Sequence, residues 1–450
     1  MSLRMCYDDV AWEQSDDISD NWVLQFLDVE VLKSIGHFVL EHNPGDDPEF
    51  APGTTLFPEE KCKNEVAVMR YILDQTSIPV PFILHSGSKE ECPLNLSPFI
   101  IMDHIEHETN MYTALNIPGR PDNERGVLDP NIDEHKLEML YRQVAGILLQ
   151  LSRLELPQIG SLSQIDDFTW KVTRRPLPMN MNELVRLGTL PQSKLPAPHA
   201  TFSTASSYVE ALASLNIQQL VYQRNDAIES ADDYRRKFVA RQLFYKLARD
   251  KKLTKFENGP FKLWCDDLRP ANILLNGDLQ VVGVVDWEFT YAAPVEFSYA
   301  PPWWLLIETP ESAMRTHEGG EVLSEHMQRS WENGDFWVMY ALLHSFVFDA
   351  IYWQKIDARF FGPTVCSPEE AWKERLVLLS DKEKDDMEKL VTRKLAEMKD
   401  RPLAWDPDDY TEEFRQELKR RRESQAKQSE GPEVNEVDPR GDEIGCSNYA

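Results

Sequence analysis

The feature that most limits how this chain can fold is a cluster of short β-type runs set inside sequence of otherwise helical periodicity. Phe261-Lys262-Leu263-Trp264 leads into a polar loop, and Ile273-Leu274-Leu275 and Val281 to Val285 flank a turn at Asn276-Gly277-Asp278. An Asn-Gly turn between apolar, β-branched runs predicts a hairpin. Elsewhere the apolar residues follow helical spacing. Leu137, Leu140, Tyr141, Val144, Ile147, Leu148 and Leu151 share one stripe between His135 and Leu154. Phe238, Val239, Leu243, Phe244 and Leu247 do the same between Asp232 and Arg249, and helical periodicity returns over Phe336–Tyr352 and Asp381–Met398. A few strands among long amphipathic helices predict an α+β fold.

Four regions separate by composition. Residues 1–57 are acidic and rich in turn formers, with one strand-like run at Phe38-Val39-Leu40, and predict an irregular segment. Residues 58–105 open on Phe57-Pro58-Glu59-Glu60, a helix start with proline in the first turn and carboxylates near the positive end of the dipole. That helix carries Val66, Met69, Arg70 and Leu73 and must stop before Ile78-Pro79-Val80-Pro81. Phe82-Ile83-Leu84 and Phe99-Ile100-Ile101-Met102 predict buried strands joined by the polar stretch Ser86 to Ser97. Residues 106–418 predict a large helical body in which Ser161 to Ala205, with five prolines, is loop-rich. Residues 419–450 are charged and poor in large apolar side chains, which predicts a disordered tail.

Composition excludes several function classes. The 450 residues carry 48 basic against 76 acidic side chains, a net charge of −28, which argues against nucleic acid as a partner. The longest apolar stretch, Tyr340 to Trp353, is interrupted by His344, Ser345 and Asp349, so no membrane partner is expected. Six scattered cysteines form no C-x-x-C pair, and the N-terminus lacks the apolar run of a secretory signal. A cytoplasmic protein with reduced thiols is the expectation. No G-x-S-x-G elbow, P-loop or dinucleotide fingerprint is present.

The chemistry is concentrated in Trp264-Cys265-Asp266-Asp267-Leu268-Arg269-Pro270-Ala271-Asn272 and, after the hairpin, Val284-Val285-Asp286-Trp287-Glu288. Phosphoryl transfer needs a carboxylate to orient and accept the proton of an attacking hydroxyl, and oxygen ligands for Mg²⁺. Asp267 and Asn272 straddle a tight loop, and Asp286 follows at the end of the next strand, 286 − 267 = 19 residues on. Two protein ligands suffice for a hard ion that keeps several waters.

On these motifs the chain resembles the aminoglycoside phosphotransferase family of kinase-like enzymes, whose loop reads His-Gly-Asp-Leu-x-x-x-Asn and whose metal strand ends in Asp-Trp-Glu or a close variant. The similarity is strongest to its fungal branch, where Cys-Asp-Asp-Leu-Arg-Pro-x-Asn and Asp-Trp-Glu-Phe-Thr-Tyr-Ala-Ala-Pro occur together; here these are Cys265 to Asn272 and Asp286 to Pro294. It extends over roughly residues 57–310 and includes Asn64-Glu65-Val66, Ile78 to Pro81 and Pro301-Pro302-Trp303-Trp304. Cys265 stands where the wider family has histidine, as is common in the fungal branch.

The resemblance implies a protein-kinase-like two-lobed α+β fold, with a small, truncated β-containing N-lobe and a large, mainly helical C-lobe. It implies Asp267 as catalytic base, Asn272 and Asp286 as Mg²⁺ ligands, and Glu65 as the helix carboxylate that pairs with a small-lobe cation. Met102, Asp103, His104 and Ile105 match the interlobe hinge whose backbone bonds adenine. Arg269 is placed to approach a γ-phosphate, with Asp266 as the competing partner. The implied reaction moves the γ-phosphoryl of ATP or GTP to a hydroxyl of a small molecule. Hinge to base spans 267 − 103 = 164 residues, room for a substrate-specific helical insertion.

One departure bears on activity. The family's glycine loop and strand lysine belong just before Phe57, and residues 41–55 offer three prolines, four acids and no β-run. Lys61, four residues before Glu65 on the same predicted helix, is expected to pair locally. The sequence therefore predicts weak nucleotide binding and keeps a second reading open, a pseudokinase that serves as a binding or scaffold module.

Overall fold

The computed structural model describes residues 5–42, 48–52, 56–120, 124, 126–302, 304–305, 325–367 and 369–429, with 48–52 and 425–429 as backbone. The fold is α+β, with small antiparallel sheets among many helices. Residues 43–47 and 53–55 lie outside the described residues, and with them most of the stretch in which no glycine loop could be assigned.

Two helices, α1 (Asp9–Phe26) and α2 (Val29–His42), occupy the region whose composition predicted irregular chain. The run Phe38-Val39-Leu40 is helical, not a strand. Val31, Ile35 and Val39 repeat every four residues and bury one stripe against Phe99 and Ile101, and this packing overrides the local β preference. Strand β1 (Pro48–Pro52) is a second correction, since no β-run was expected there. It pairs antiparallel with β3 (Phe99–Asp103), from Pro48 opposite Asp103 to Pro52 opposite Phe99, and β2 (Ile83–Gly87) pairs on the other side of β3. Prolines at both ends of β1 suit an edge position, where missing N–H groups leave no gap in the ladder.

Helix α3 (Pro58–Gln75) starts and stops where its sequence predicts. Its Arg175–Glu60 ion pair, at 2.7 Å, and the Phe57 N–H to Asp408 carboxylate bond, at 2.8 Å, fasten its first turn. After β4 (Thr109–Asn110) and α4 (Met111–Leu115), the stripe on α5 (Glu134–Arg153) buries Leu140, Val144, Ile147 and Leu151. The stretch predicted as loop holds a hairpin, β6 (Ser161–Asp166) with β7 (Thr169–Arg174), after β5 (Glu155–Leu156), and then α6 (Met179–Arg186). Its prolines flank these elements instead of interrupting them; Pro178, for example, caps α6.

Helices α7 (Ala205–Tyr222) and α8 (Ala231–Arg249) form the largest core with Asp335–Leu343 and the helical residues 348–361. Among the described residues no single helix is long and apolar enough to cross a membrane, and the apolar pair at 335–343 and 345–361 is bent by 116°. Strand β8 (Phe261–Cys265) pairs with β11 (Thr290–Ala293) and β5. The predicted hairpin, β9 (Ile273–Leu275) with β10 (Val281–Val284), forms a separate sheet with β4. Trp304 is buried core, while Trp303 lies outside the described residues.

The chain from Lys419 is not disordered at its start. The helix Asp409–Ser429 runs through it, with Phe414 and Leu418 packed against Ala11, Ile18 and Trp405, and Arg422 bonded to Asp17 at 3.0 Å. Its arginines and glutamates pair within the helix, as Arg421 does with Glu417, so few apolar residues are needed to hold it. Residues 430–450 lie outside the described residues.

Candidate active site

Three segments converge: helix α3, the loop between β8 and β9, and the chain after β10. The loop leaves β8 at Cys265, turns through a single 3₁₀ turn at Pro270–Asn272, and enters β9 directly. Asn272 N–H bonds Arg269 C=O at 3.0 Å, and Asn272 C=O accepts from Val285 N–H at 3.0 Å, which ties the loop to the end of β10. Val284 N–H in turn bonds Pro79 C=O at 2.8 Å, so the proline-rich stop after α3 anchors the same strand.

Asp267 and Asn272 are both buried. The Asn272 amide donates to the Asp267 carbonyl at 2.9 Å and lies 3.4 Å from Asp267 Oδ2 and 3.3 Å from Asp286 Oδ2. One carboxamide therefore spans two carboxylates. Arg269 Nε sits 3.1 Å from the other Asp267 oxygen, Oδ1, with its side chain half exposed. The partner of Arg269 is Asp267 and not Asp266. Asp266 is instead bonded by Trp264 Nε1 at 2.6 Å and Met179 N–H at 3.0 Å, pointing into the core beside Tyr291. Burial pushes the Asp267 carboxyl up to about 7, with Arg269 pulling it down and Asp286 pushing it further up.

Asp286 has a φ of +65°, a left-handed backbone that costs a non-glycine residue on the order of 1–2 kcal/mol. The next residue shows what holds it there. Trp287 is fully buried, its indole N–H bonds Val284 C=O at 2.9 Å, and its backbone N–H bonds Glu65 Oε1 at 3.2 Å. Asn64, also buried, donates to the carbonyls of Glu288 and Thr290 at 2.9 and 2.8 Å. Helix α3 thus fixes the segment 286–290 by side-chain bonds to its backbone.

Glu65 lies against this segment. Burial first, then the charges of Asp286 and Glu288, push its carboxyl up to about 8, against the Trp287 N–H and Lys61, which lower it. A carboxyl that keeps its proton in the folded state while the unfolded chain has lost it makes the unfolded state bind fewer protons. Stability then falls as pH rises from the unfolded value towards about 8. Glu65→Gln removes that group, so its stability is expected to decline less than wild type between about pH 5 and pH 8, by up to ~1.4 kcal/mol per pH unit. Urea unfolding across that range measures the slope, and equal slopes in the two proteins would exclude Glu65 as its source.

The ion pair of Lys61 with Glu288 reaches far along the chain. Lys61 is buried one turn before Glu65, with Nζ 3.5 Å from Glu288 Oε1 and 4.9 Å from the centre of the Phe289 ring. Sequence reasoning expected Lys61 to pair within its helix and missed the contact with Glu288, which was in view only as the third letter of Asp-Trp-Glu. Burial lowers the Lys61 pKa and raises that of Glu288, and their mutual attraction offsets part of each shift.

Met102 ends the buried part of β3, Asp103 and His104 are exposed, and Ile105 is half-buried. Ile105 fixes the position of this segment. A Cβ added to Gly283 on β10 would lie 2.5 Å from Ile105 Cδ1, so residues 102–105 lean on the strand that leads to Asp286.

Asp286 offers carboxylate oxygens and Asn272 carries an amide oxygen besides the Nδ2 that faces both carboxylates, and the like charges of Asp267 and Asp286 across that amide are an arrangement that a divalent cation would compensate. Among the described residues no group of three or more His, Cys, Asp or Glu could hold a metal. The donor set fits an ion such as Mg²⁺ that takes few protein ligands and completes its shell with water and phosphate.

A scan against protein-family models finds no match, and a search of curated proteins finds none either. Among solved structures the chain is similar to a streptomycin–ATP ternary complex of APH(2″)-IIa, at 12% identity and a TM-score of 0.38, covering 77% of this chain and 98% of that one. It is also similar to a GDP complex of an aminoglycoside 2′-phosphotransferase-IIIa mutant, at 9% identity and a TM-score of 0.33, covering 87% of this chain and 99% of that one.

Proposed function

We propose that this chain is a two-lobed, kinase-like phosphotransferase of the aminoglycoside phosphotransferase type, of its fungal branch, acting in the cytoplasm. It transfers the γ-phosphoryl of ATP or GTP to a hydroxyl of a small molecule. The observation that carries the reading is the single Asn272 amide set between the carboxylates of Asp267 and Asp286. Asn272 and Asp286 hold Mg²⁺, which when bound neutralises phosphate charge. Asp267 orients the acceptor hydroxyl and takes its proton, and the burial that raises its pKa makes it a stronger base than an exposed carboxylate. Arg269 keeps one Asp267 oxygen fixed, and its half-exposed side chain leaves the guanidinium open to a phosphate. Residues 102–105 supply the backbone edge for the base, and Glu65 orients the metal segment through the Trp287 N–H.

The second reading, a pseudokinase that binds without turnover, is favoured by one observation. Strand β1, the neighbour of β3, reads Pro-Glu-Phe-Ala-Pro and offers no cation. Incubating the full chain with MgATP and a panel of small hydroxyl compounds separates the two. The enzyme reading predicts that at least one compound gains the mass of a phosphoryl group. A panel in which nothing gains that mass, with MgATP bound, favours the pseudokinase.

A further inference from the structure

We propose that Asn64 is a positioning residue for phosphoryl transfer: through the carbonyls of Glu288 and Thr290 it sets the metal ligand Asp286 against the base Asp267. The inference rests on the phosphotransferase reading and adds to it the residue that keeps its metal segment in place. Asn64 lies on α3 and is only 1% exposed. Its Nδ2 donates to Glu288 C=O at 2.9 Å and to Thr290 C=O at 2.8 Å, which lie 224 and 226 positions further along the chain. Both amide hydrogens are used in this way. Because both acceptors are carbonyls, only the NH₂ end of the amide can face them.

The segment that Asn64 grips joins the two halves of the site. Strand β10 ends at Val284 and β11 begins at Thr290, so Asp286 stands on irregular chain between two ladders. Its left-handed backbone, at φ +65°, persists only where the surroundings over-determine it. Trp287 pins the near end, through its indole N–H on Val284 C=O and its backbone N–H on Glu65. Asn64 pins the far end. There the turn closes with Thr290 N–H on Trp287 C=O at 3.2 Å, and Phe289 C=O accepts Asp266 N–H at 3.2 Å. Asp266 immediately precedes the base, and Thr290 stands opposite Cys265 in the ladder with β8. At its start the same segment bonds the metal loop, Val285 N–H to Asn272 C=O. A slip of this segment along α3 would therefore move Asp286 relative to both Asp267 and Asn272. Buried carbonyls need donors in any fold, but here one side chain of another element supplies both, and it fixes a separation on which the reaction depends. A misplacement of about 1 Å at reacting groups can cost about 10²-fold in rate.

Calorimetric titration of the full chain with ADP, once with Mg²⁺ and once with the metal chelated, tests this in wild type and Asn64→Leu. Leucine has nearly the size of asparagine and no donor. MgADP binding should weaken by about 5–30-fold in the variant, the range for one to two neutral hydrogen bonds, while metal-free ADP binding stays as in wild type. A variant that binds MgADP as tightly as wild type overturns the assignment. So does a loss shared equally by ADP with and without metal, because Asn64 would then support the fold and not the metal ligand. A wild-type chain that binds no ADP, or binds it equally with and without Mg²⁺, overturns the phosphotransferase reading and this inference together, which sets that failure apart from the other two. Should Asn64→Leu fail to fold, hydrogen exchange of the wild-type chain decides. Coupling between two sites is reciprocal, so MgADP should slow exchange around Asn64 on α3 together with residues 286–290, and metal-free ADP should not. Protection of 286–290 with α3 unchanged overturns the assignment.

Discussion

Asp267→Asn is expected to lower kcat by about 10²–10⁴-fold while leaving KM within a few-fold, the loss typical of removing a positioned general base. The carboxamide keeps the shape of the carboxylate, and the backbone that Asn272 bonds at the Asp267 carbonyl is unchanged. Folding and nucleotide binding should therefore survive. What disappears is the proton acceptor and, with it, the charge that holds Arg269 at 3.1 Å. Steady-state kinetics of ATP consumption measure both constants. A variant within a few-fold of wild type in kcat would remove Asp267 from the role of base.

The second large effect concerns Asp286. Its replacement by alanine should abolish the Mg²⁺-dependent rise in melting temperature on adding ATP. A ligand that binds only the folded state stabilises it by RT ln(1 + [L]/Kd), about 2.7 kcal/mol at one hundred times Kd. Alanine brings a complication of its own at φ +65°, where a Cβ without a polar group is less tolerated. Asp286→Asn is the cleaner variant, since asparagine accepts left-handed backbone and only the anionic ligand is lost. Both variants should show the same melting temperature with and without MgATP, against a clear shift in wild type. A full shift in Asp286→Asn would place the metal elsewhere.

What the sequence made legible follows from how local each signal is. The hairpin at Asn276-Gly277, the loop from Asp267 to Asn272 and the start of α3 at Pro58 depend on neighbours a few residues away, and each element forms where its local signals place it. The N-terminal helices did not announce themselves. Phe38-Val39-Leu40 resembles a strand until Val31 and Ile35 are seen to share its buried face. The hairpin Ser161–Asp166 with Thr169–Arg174 was hidden by the prolines that follow it. The contact of Lys61 with Glu288 was missed for a related reason. The i,i+4 rule joined Lys61 to Glu65 and is silent on the distant Glu288. Pairings between residues far apart along the chain leave no mark on spacing, and the site depends on several of them, Asn64 to Glu288 and Glu65 to Trp287 among them.

The most direct test of the account follows the γ-phosphate of ATP by ³¹P NMR in the presence of the full chain, with Mg²⁺ and again with the metal chelated. With water as the default acceptor, the account predicts slow, Mg²⁺-dependent conversion of ATP to ADP that Asp267→Asn and Asp286→Asn each suppress. ATP that stays intact with MgATP bound, or turnover that neither substitution reduces, would contradict the claim that Asp267, Asn272 and Asp286 form a phosphotransfer site.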